Sequence, residues 1–288
     1  MNTHLRRTRT TTAQQVAPFT GEGAYHGSTR PRPAPAPELA EPVVLEMQPL
    51  TLARYGEPRA IDSFTARFTN IHDTVATLPV PTQQAIVDDA VTFCWCPLDE
   101  AIREAGPLTR GVLAEMQRHL TGRKRYVYID SKIQYFQVGD VPVDSQHWHV
   151  DGSIVARDER VRLLGHALLH DMRARLEGPA EPPTYLSYQS SEHCATRFVA
   201  APVTLTMPEL IANFDDLDRQ VRALDPPVAA QPASAIIRFD GLSLHRAVAA
   251  EGDGWRLWIR CAETDRRVEL TSSIIDCYGK VYRPAAPP

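Results

Sequence analysis

The sequence predicts a mainly β protein with flanking helices, and three observations carry that reading. Helical periodicity is concentrated early, between residues 81 and 121. Period-two alternation then recurs from about residue 125 to 278. No regular strand–helix–strand repeat appears, which argues against a parallel doubly wound sheet.

The helical part opens at Pro81-Thr82, a start signal, with Ile86, Ala90 and Phe93 at helical spacing. A second helix is expected over Thr109–Leu120, with Val112, Leu113, Met116 and Leu120 on one face and Gly122 as its stop. Arg125–Asp130 and Lys132–Val138 alternate as strands. A helix is expected over Arg157–Leu176, then strands at Thr184–Ser190 and Thr196–Leu205. Met207–Leu224 reads as a helix with Pro208 at its start. Ser234–Leu244, Trp255–Thr264 and Val268–Ile275 complete the strands.

Ahead of this lies a segment of different texture. Residues 1–42 carry Arg6, Arg7, Arg9, Arg30 and Arg32, a threonine run, and the tract Pro31-Arg32-Pro33-Ala34-Pro35-Ala36-Pro37. Such a tail is expected to be extended and solvated. No apolar stretch follows the twin arginine, which argues against a signal peptide. Folded sequence is expected from about 43 to 284, with Val43–Leu50 extended.

Of the 288 residues, 43% are hydrophobic and 23% charged, values typical of globular chains. The net charge of −4 argues against a general nucleic-acid binder, although Arg123-Lys124-Arg125 forms a small basic patch. Apolar runs fall far short of the roughly 20 residues of a membrane span. The five cysteines are odd in number, and Cys94-Trp95-Cys96 is too short for a CxxC motif. Free thiols in a reducing cytoplasm are the expectation.

The richest chemistry lies in Gln146-His147-Trp148-His149-Val150-Asp151-Gly152. On a strand, His149 and Asp151 share a face, so an imidazole and a carboxylate can take two corners of one divalent metal. The expected third ligand is His245, at the end of the apolar run from Ile236. Two histidines and one carboxylate leave three positions open, the arrangement of non-haem Fe(II) oxygenases. A bidentate 2-oxo acid would fill two, and O₂ the third. Ala249–Gly254 reads as a turn, and a hairpin centred on Ala250-Glu251 would set Arg256 opposite His245, with Arg260 further along the same face. A guanidinium there could clamp the distal carboxylate of a 2-oxo acid.

The ordered set His149, Asp151, His245 and Arg256 resembles the Fe(II)/2-oxoglutarate-dependent dioxygenases. Trp148-His149-Val150-Asp151 resembles the Trp-His-x-Asp form of the phytanoyl-hydroxylase-like branch, and Gly241–Arg246 that branch's distal-histidine strand. The likeness spans about Lys132 to Asp265. It implies a double-stranded β-helix (jelly-roll, cupin-like) core. It implies His149, Asp151 and His245 as iron ligands and Arg256 as partner of the 2-oxoglutarate carboxylate. It places Thr196 and Gln134 near the cosubstrate, with Arg260 as a second candidate cation. The implied reaction couples oxidative decarboxylation to succinate and CO₂ with hydroxylation of a small molecule. Because Asp151 fills the carboxylate corner, halogenation is disfavoured.

Competing assignments are weaker. His147 as ligand would suggest a cupin-type isomerase or lyase, but Gly152–Ala156 lacks the glutamate such sites use. A binding module that lost its metal is the non-enzymatic alternative. His166 and His170 are four apart on the expected helix but lack the glutamate of HExxH, since position 167 is alanine. His193-Cys194 would point to opposite faces of a strand. The tryptophans read as packing, with Trp258 between the two arginines on their face. No Walker A loop, GxGxxG or nucleophile elbow is present.

Overall fold

A computed structural model describes residues 24–27, 63–143, 146–151, 170–178, 181–211, 213–268, 274–275 and 280–283. The chain begins with β1 (Ala24–Gly27), β2 (Ser63–Phe68) and β3 (His72–Thr77). Then come α1 (Gln83–Asp89), β4 (Thr92–Phe93), β5 (Cys96–Pro97), α2 (Leu98–Glu104) and α3 (Pro107–Arg118). The long strand β6 (Tyr126–Phe136) precedes β7 (His170–Asp171) and α4 (Met172–Glu177). Next are β8 (Thr184–Gln189), β9 (Arg197–Val199), β10 (Val203–Pro208), β11 (Leu210–Ile211) and α5 (Asp215–Leu224). The remaining strands are β12 (Val228–Ala230), β13 (Ala235–Asp240), β14 (His245–Arg246), β15 (Gly254–Thr264), β16 (Ile274–Ile275) and β17 (Lys280–Arg283).

The protein is mainly β, built on a large antiparallel sheet in the order β3-β13-β8-β15-β6-β5. A smaller sheet has the order β12-β9-β14. One face of the large sheet presents Ile129, Ile133, Leu186, Tyr188, Ile236, Leu257, Ile259 and Cys261 to the helices. Ile86 of α1 and Val112, Leu113 and Met116 of α3 complete that core. A second core joins Phe64, Ala66 and Phe68 of β2 to Val203, Leu205 and Met207 of β10 and to Trp148.

Local chemistry explains the helix boundaries. The Thr82 hydroxyl accepts from the Ala85 amide and caps α1. Asp89 caps α3 from a distance, accepting from the Leu108 and Thr109 amides at 2.9 Å each. Gly106 is needed at this join, because a Cβ there would lie 2.2 Å from Asp89 Oδ1.

Several expectations require correction. The two strands expected over Arg125–Val138 are the single strand β6. The expected strand Thr196–Leu205 breaks at Ala200–Pro202 into β9 and β10. The expected helix from Met207 starts only at Asp215: burial alternates along β10, which is a strand period, and three aspartates fill the first turn of α5. The hairpin joining His245 to Arg256 does not form. Asp240 Oδ1 accepts from the Leu242 amide and the Ser243 hydroxyl, ending β13 in a tight turn. β14 therefore crosses to the smaller sheet, where His245 pairs with Phe198, while Arg256 on β15 pairs with Gln134 on β6.

Of the tail expected to be disordered, Ala24–Gly27 is described, and it pairs antiparallel with Lys280–Arg283. The expected strand Val43–Leu50, His166 and most of the expected helix Arg157–Leu176 lie outside the described residues. The helix that is described there begins at Met172. Cys94, Cys96, Cys194 and Cys261 are free thiols.

Candidate metal centre

The site forms where β14 meets residues 146–151. His149 and His245 make a reciprocal backbone pair, each amide donating to the other's carbonyl at 3.0 Å. This is the hydrogen-bonded pair of an antiparallel ladder, so the two side chains leave the backbone on one side. Their rings lie 4.4 Å apart between centroids. Phe214 packs against His149, and Phe198 and Phe239 pack against His245.

Each imidazole is oriented by a backbone carbonyl. His149 Nδ1 lies 2.8 Å from the His147 carbonyl, and His245 Nδ1 lies 2.9 Å from that of Ser243. A carbonyl only accepts, so Nδ1 carries the proton in both rings and Nε2 keeps its lone pair. Asp151 supplies the carboxylate, with Oδ2 3.5 Å from His245 Nε2. One donor atom from each of His149, Asp151 and His245 lies within 4.8 Å of the others. Two bare imidazole nitrogens and one carboxylate oxygen at this spacing could hold one divalent ion at the usual bond lengths of about 2.0–2.2 Å.

The protonation states suit that use. Burial lowers His149 to about 4, with the Arg260 charge acting in the same direction, so its ring is neutral at neutral pH. Burial alone would raise Asp151, but the Arg260 guanidinium holds its carboxyl well below the usual range.

Arg260 is the hub of the electrostatics. Its Nη1 donates to Asp151 Oδ2 at 2.5 Å and its Nη2 to Asp130 Oδ2 at 2.8 Å. Its guanidinium carbon lies 5.7, 5.3 and 5.6 Å from the ring centroids of Trp95, Tyr185 and Trp258. Trp95 reaches its place through a left-handed φ of 48°, with its amide donating to Asp130 Oδ1. Burial would lower the Arg260 pKa, but Asp151 and Asp130 outweigh it and raise it further, so the group stays cationic.

Arg256 is buried one row beyond Trp258. Its Nη1 donates to the Cys194 carbonyl, its Nη2 to Gln134 Oε1 at 3.3 Å, and it stacks on Phe136 at 4.9 Å. The Gln134 amide donates to the Pro142 carbonyl. The Thr196 amide donates to Gln189 Oε1, and Gln189 faces Trp258 across the ladder. The histidine pair and Asp151 thus converge, while Arg256, Gln134 and Arg260 line the same face of the large sheet. The His147 ring turns away to Asp215, 2.9 Å from its carboxylate.

Asp130 and Lys132 did not emerge from sequence reasoning. Their signal was present: Asp130, Lys132 and Gln134 alternate with the apolar Ile129 and Ile133 along β6, as Arg256, Trp258 and Arg260 do along β15.

No family model matches the sequence, and no curated protein matches it. Among solved structures, the chain is similar to a crystal structure of apo HygX from Streptomyces hygroscopicus. That match has 11% identity and a TM-score of 0.30, covering 66% of this chain and 90% of HygX. At this level of likeness no functional property passes from HygX to this chain. Among the described residues no helix is long and apolar enough to cross a membrane.

Proposed function

We propose that this protein is an Fe(II)- and 2-oxoglutarate-dependent oxygenase that hydroxylates a small molecule, its catalytic domain spanning about residues 43–284. The observation that carries the reading is the convergence of two imidazoles, each with Nε2 bare, on one carboxylate. On a divalent ion, that donor set would leave positions for exogenous ligands. The strand order β13-β8-β15-β6, opposite β9-β14 and the His149 segment, supports a double-stranded β-helix reading of the core.

His149, Asp151 and His245 would hold the metal. Iron held there would supply the oxidising chemistry. The protein's own part is orientation and charge. The His147 and Ser243 carbonyls fix the imidazole tautomers, and Arg260 fixes Asp151 while Asp130 anchors Arg260. Arg256 would take the distal carboxylate of the cosubstrate: its bond to Gln134 is long, so an entering carboxylate displaces a weak acceptor. Thr196 and Gln134 would complete that contact. Trp95, Trp258 and Tyr185 shield the centre from water. Free thiols fit a reducing compartment, and we assign the protein to the cytoplasm.

The test is direct. Anaerobic protein given Fe(II) and 2-oxoglutarate should develop a weak visible charge-transfer band, and O₂ should then release succinate. Asp151→Ala should lose both signals. A wild-type protein that binds Fe(II) but shows neither would end the oxygenase reading and favour a metal-dependent isomerase or a binding module.

A further inference from the structure

Charge on the inner face of the large sheet is not balanced. In register along β6 and β15, Asp130 lies opposite Arg260, Lys132 opposite Trp258, and Gln134 opposite Arg256. Each arginine has a hydrogen-bond acceptor from its own rung. Lys132 does not. Its ammonium lies 5.9 Å from the Trp258 ring centroid, and among the described residues it makes no hydrogen bond or ion pair. A half-buried cation facing an indole is partly compensated, because the ring offers only its quadrupole. Burial and the neighbouring Arg256 charge lower the Lys132 pKa.

Among the described residues, the five charges gathered here, Asp151 included, do not cancel. Asp130 and Asp151 oppose Lys132, Arg256 and Arg260, which leaves one positive charge. A divalent ion on the triad raises the excess to three, and a doubly charged 2-oxo dicarboxylate lowers it to one again. The unmatched charge is Lys132, one rung from the Asp130–Arg260 row and so about 7 Å along the strand. Arg256 stands a further rung away.

We propose that Lys132 is a specificity residue that pairs with a single anionic group, a carboxylate or its equivalent, on the primary substrate, so that this enzyme oxidises small organic acids. The inference rests on the oxygenase reading above. It deepens it by naming the substrate class and by separating the two anion positions, Arg256 for the cosubstrate and Lys132 for the substrate. The Trp258 ring beside the ammonium favours an acid with a flat or apolar body next to its carboxylate.

The experiment uses the full chain loaded anaerobically with Fe(II), in low-salt buffer so that the pair is not screened. The charge-transfer band is titrated with 2-oxoglutarate to read cosubstrate affinity. The saturated complex is then titrated by calorimetry with acetate, phenylacetate and indole-3-acetate, and with their neutral amides. The acids should bind more tightly than the amides. Lys132→Met should weaken acid binding at least tenfold while leaving 2-oxoglutarate affinity within about threefold. Lys132→Arg, which keeps the charge, should retain acid binding and guards against a folding defect in the methionine variant. If acids bind no better than amides, or if Lys132→Met leaves acid binding unchanged, the proposal is overturned. If Lys132→Met instead weakens 2-oxoglutarate tenfold, Lys132 serves the cosubstrate and the proposal is likewise overturned. If wild type binds Fe(II) but gives no band with 2-oxoglutarate, the oxygenase reading itself has failed.

Discussion

The two faces of the large sheet are written by alternate residues of the same strands. On β15, Leu257, Ile259 and Cys261 enter the helix-covered core, while Arg256, Trp258 and Arg260 face the candidate centre. On β6, Ile129 and Ile133 oppose Asp130, Lys132 and Gln134 in the same way. One face is largely apolar, and its buried polar exceptions, Ser131 and Glu263, accept from the Phe93 and Thr121 amides at its margin. The other gathers three cations and two carboxylates. The comparison teaches that this sheet separates stability from chemistry by parity alone, one residue apart.

Substitutions on the two faces should therefore fail differently. The largest effect on the chemical face is expected from Asp151→Ala, which removes one of three donors and should abolish measurable Fe(II) or Co(II) binding. On the core face, Ile259 is fully buried. Ile259→Ala should cost about 2–5 kcal/mol in denaturant unfolding while leaving metal affinity within a few-fold. Metal affinity that fell as steeply for Ile259→Ala as for Asp151→Ala would break the separation of the two faces.

Smaller effects sharpen it. Asp130 touches no donor atom of the triad, yet it anchors the arginine that holds Asp151. Asp130→Asn should weaken Co(II) binding about tenfold, since loss of a negative charge and looser orientation act in the same direction. Unchanged affinity would show that Arg260 needs no anchor. The pH response is the mildest expectation. In an unfolded chain the His149 imidazole takes a proton near pH 6.5, whereas the folded protein resists until about 4. This contribution to stability is complete above pH 6.5 and is lost progressively as pH falls towards 4. Asp151, held well below its ordinary value, loses its own contribution at still lower pH. Melting temperatures of the metal-free protein should fall from pH 7 to 4, and His149→Gln should flatten the upper part of that slope.

What was legible in the sequence follows the range of the interactions. Alternation along β6, β8 and β15 depends on neighbouring residues, and those strands appear close to where the pattern places them. The residues that converge were legible because their types have few shared uses. The sheet assignment of β14 was not legible. It depends on Asp240 turning the chain, and on Phe198, nearly fifty residues earlier, competing successfully for the His245 strand. The Met207–Leu224 expectation failed because Pro208 serves equally as a helix start or a strand end, and pairing with β2 decided between them. Lys132 was missed because an isolated lysine on a strand looks like a solvated residue until a tryptophan is found opposite it.

The reciprocal peptide pairing of His149 with His245 has one more consequence. The gap between the two imidazoles is set by main-chain atoms, as the span of a pair of pliers is set by its pivot. A substitution among the surrounding side chains leaves that hinge in place.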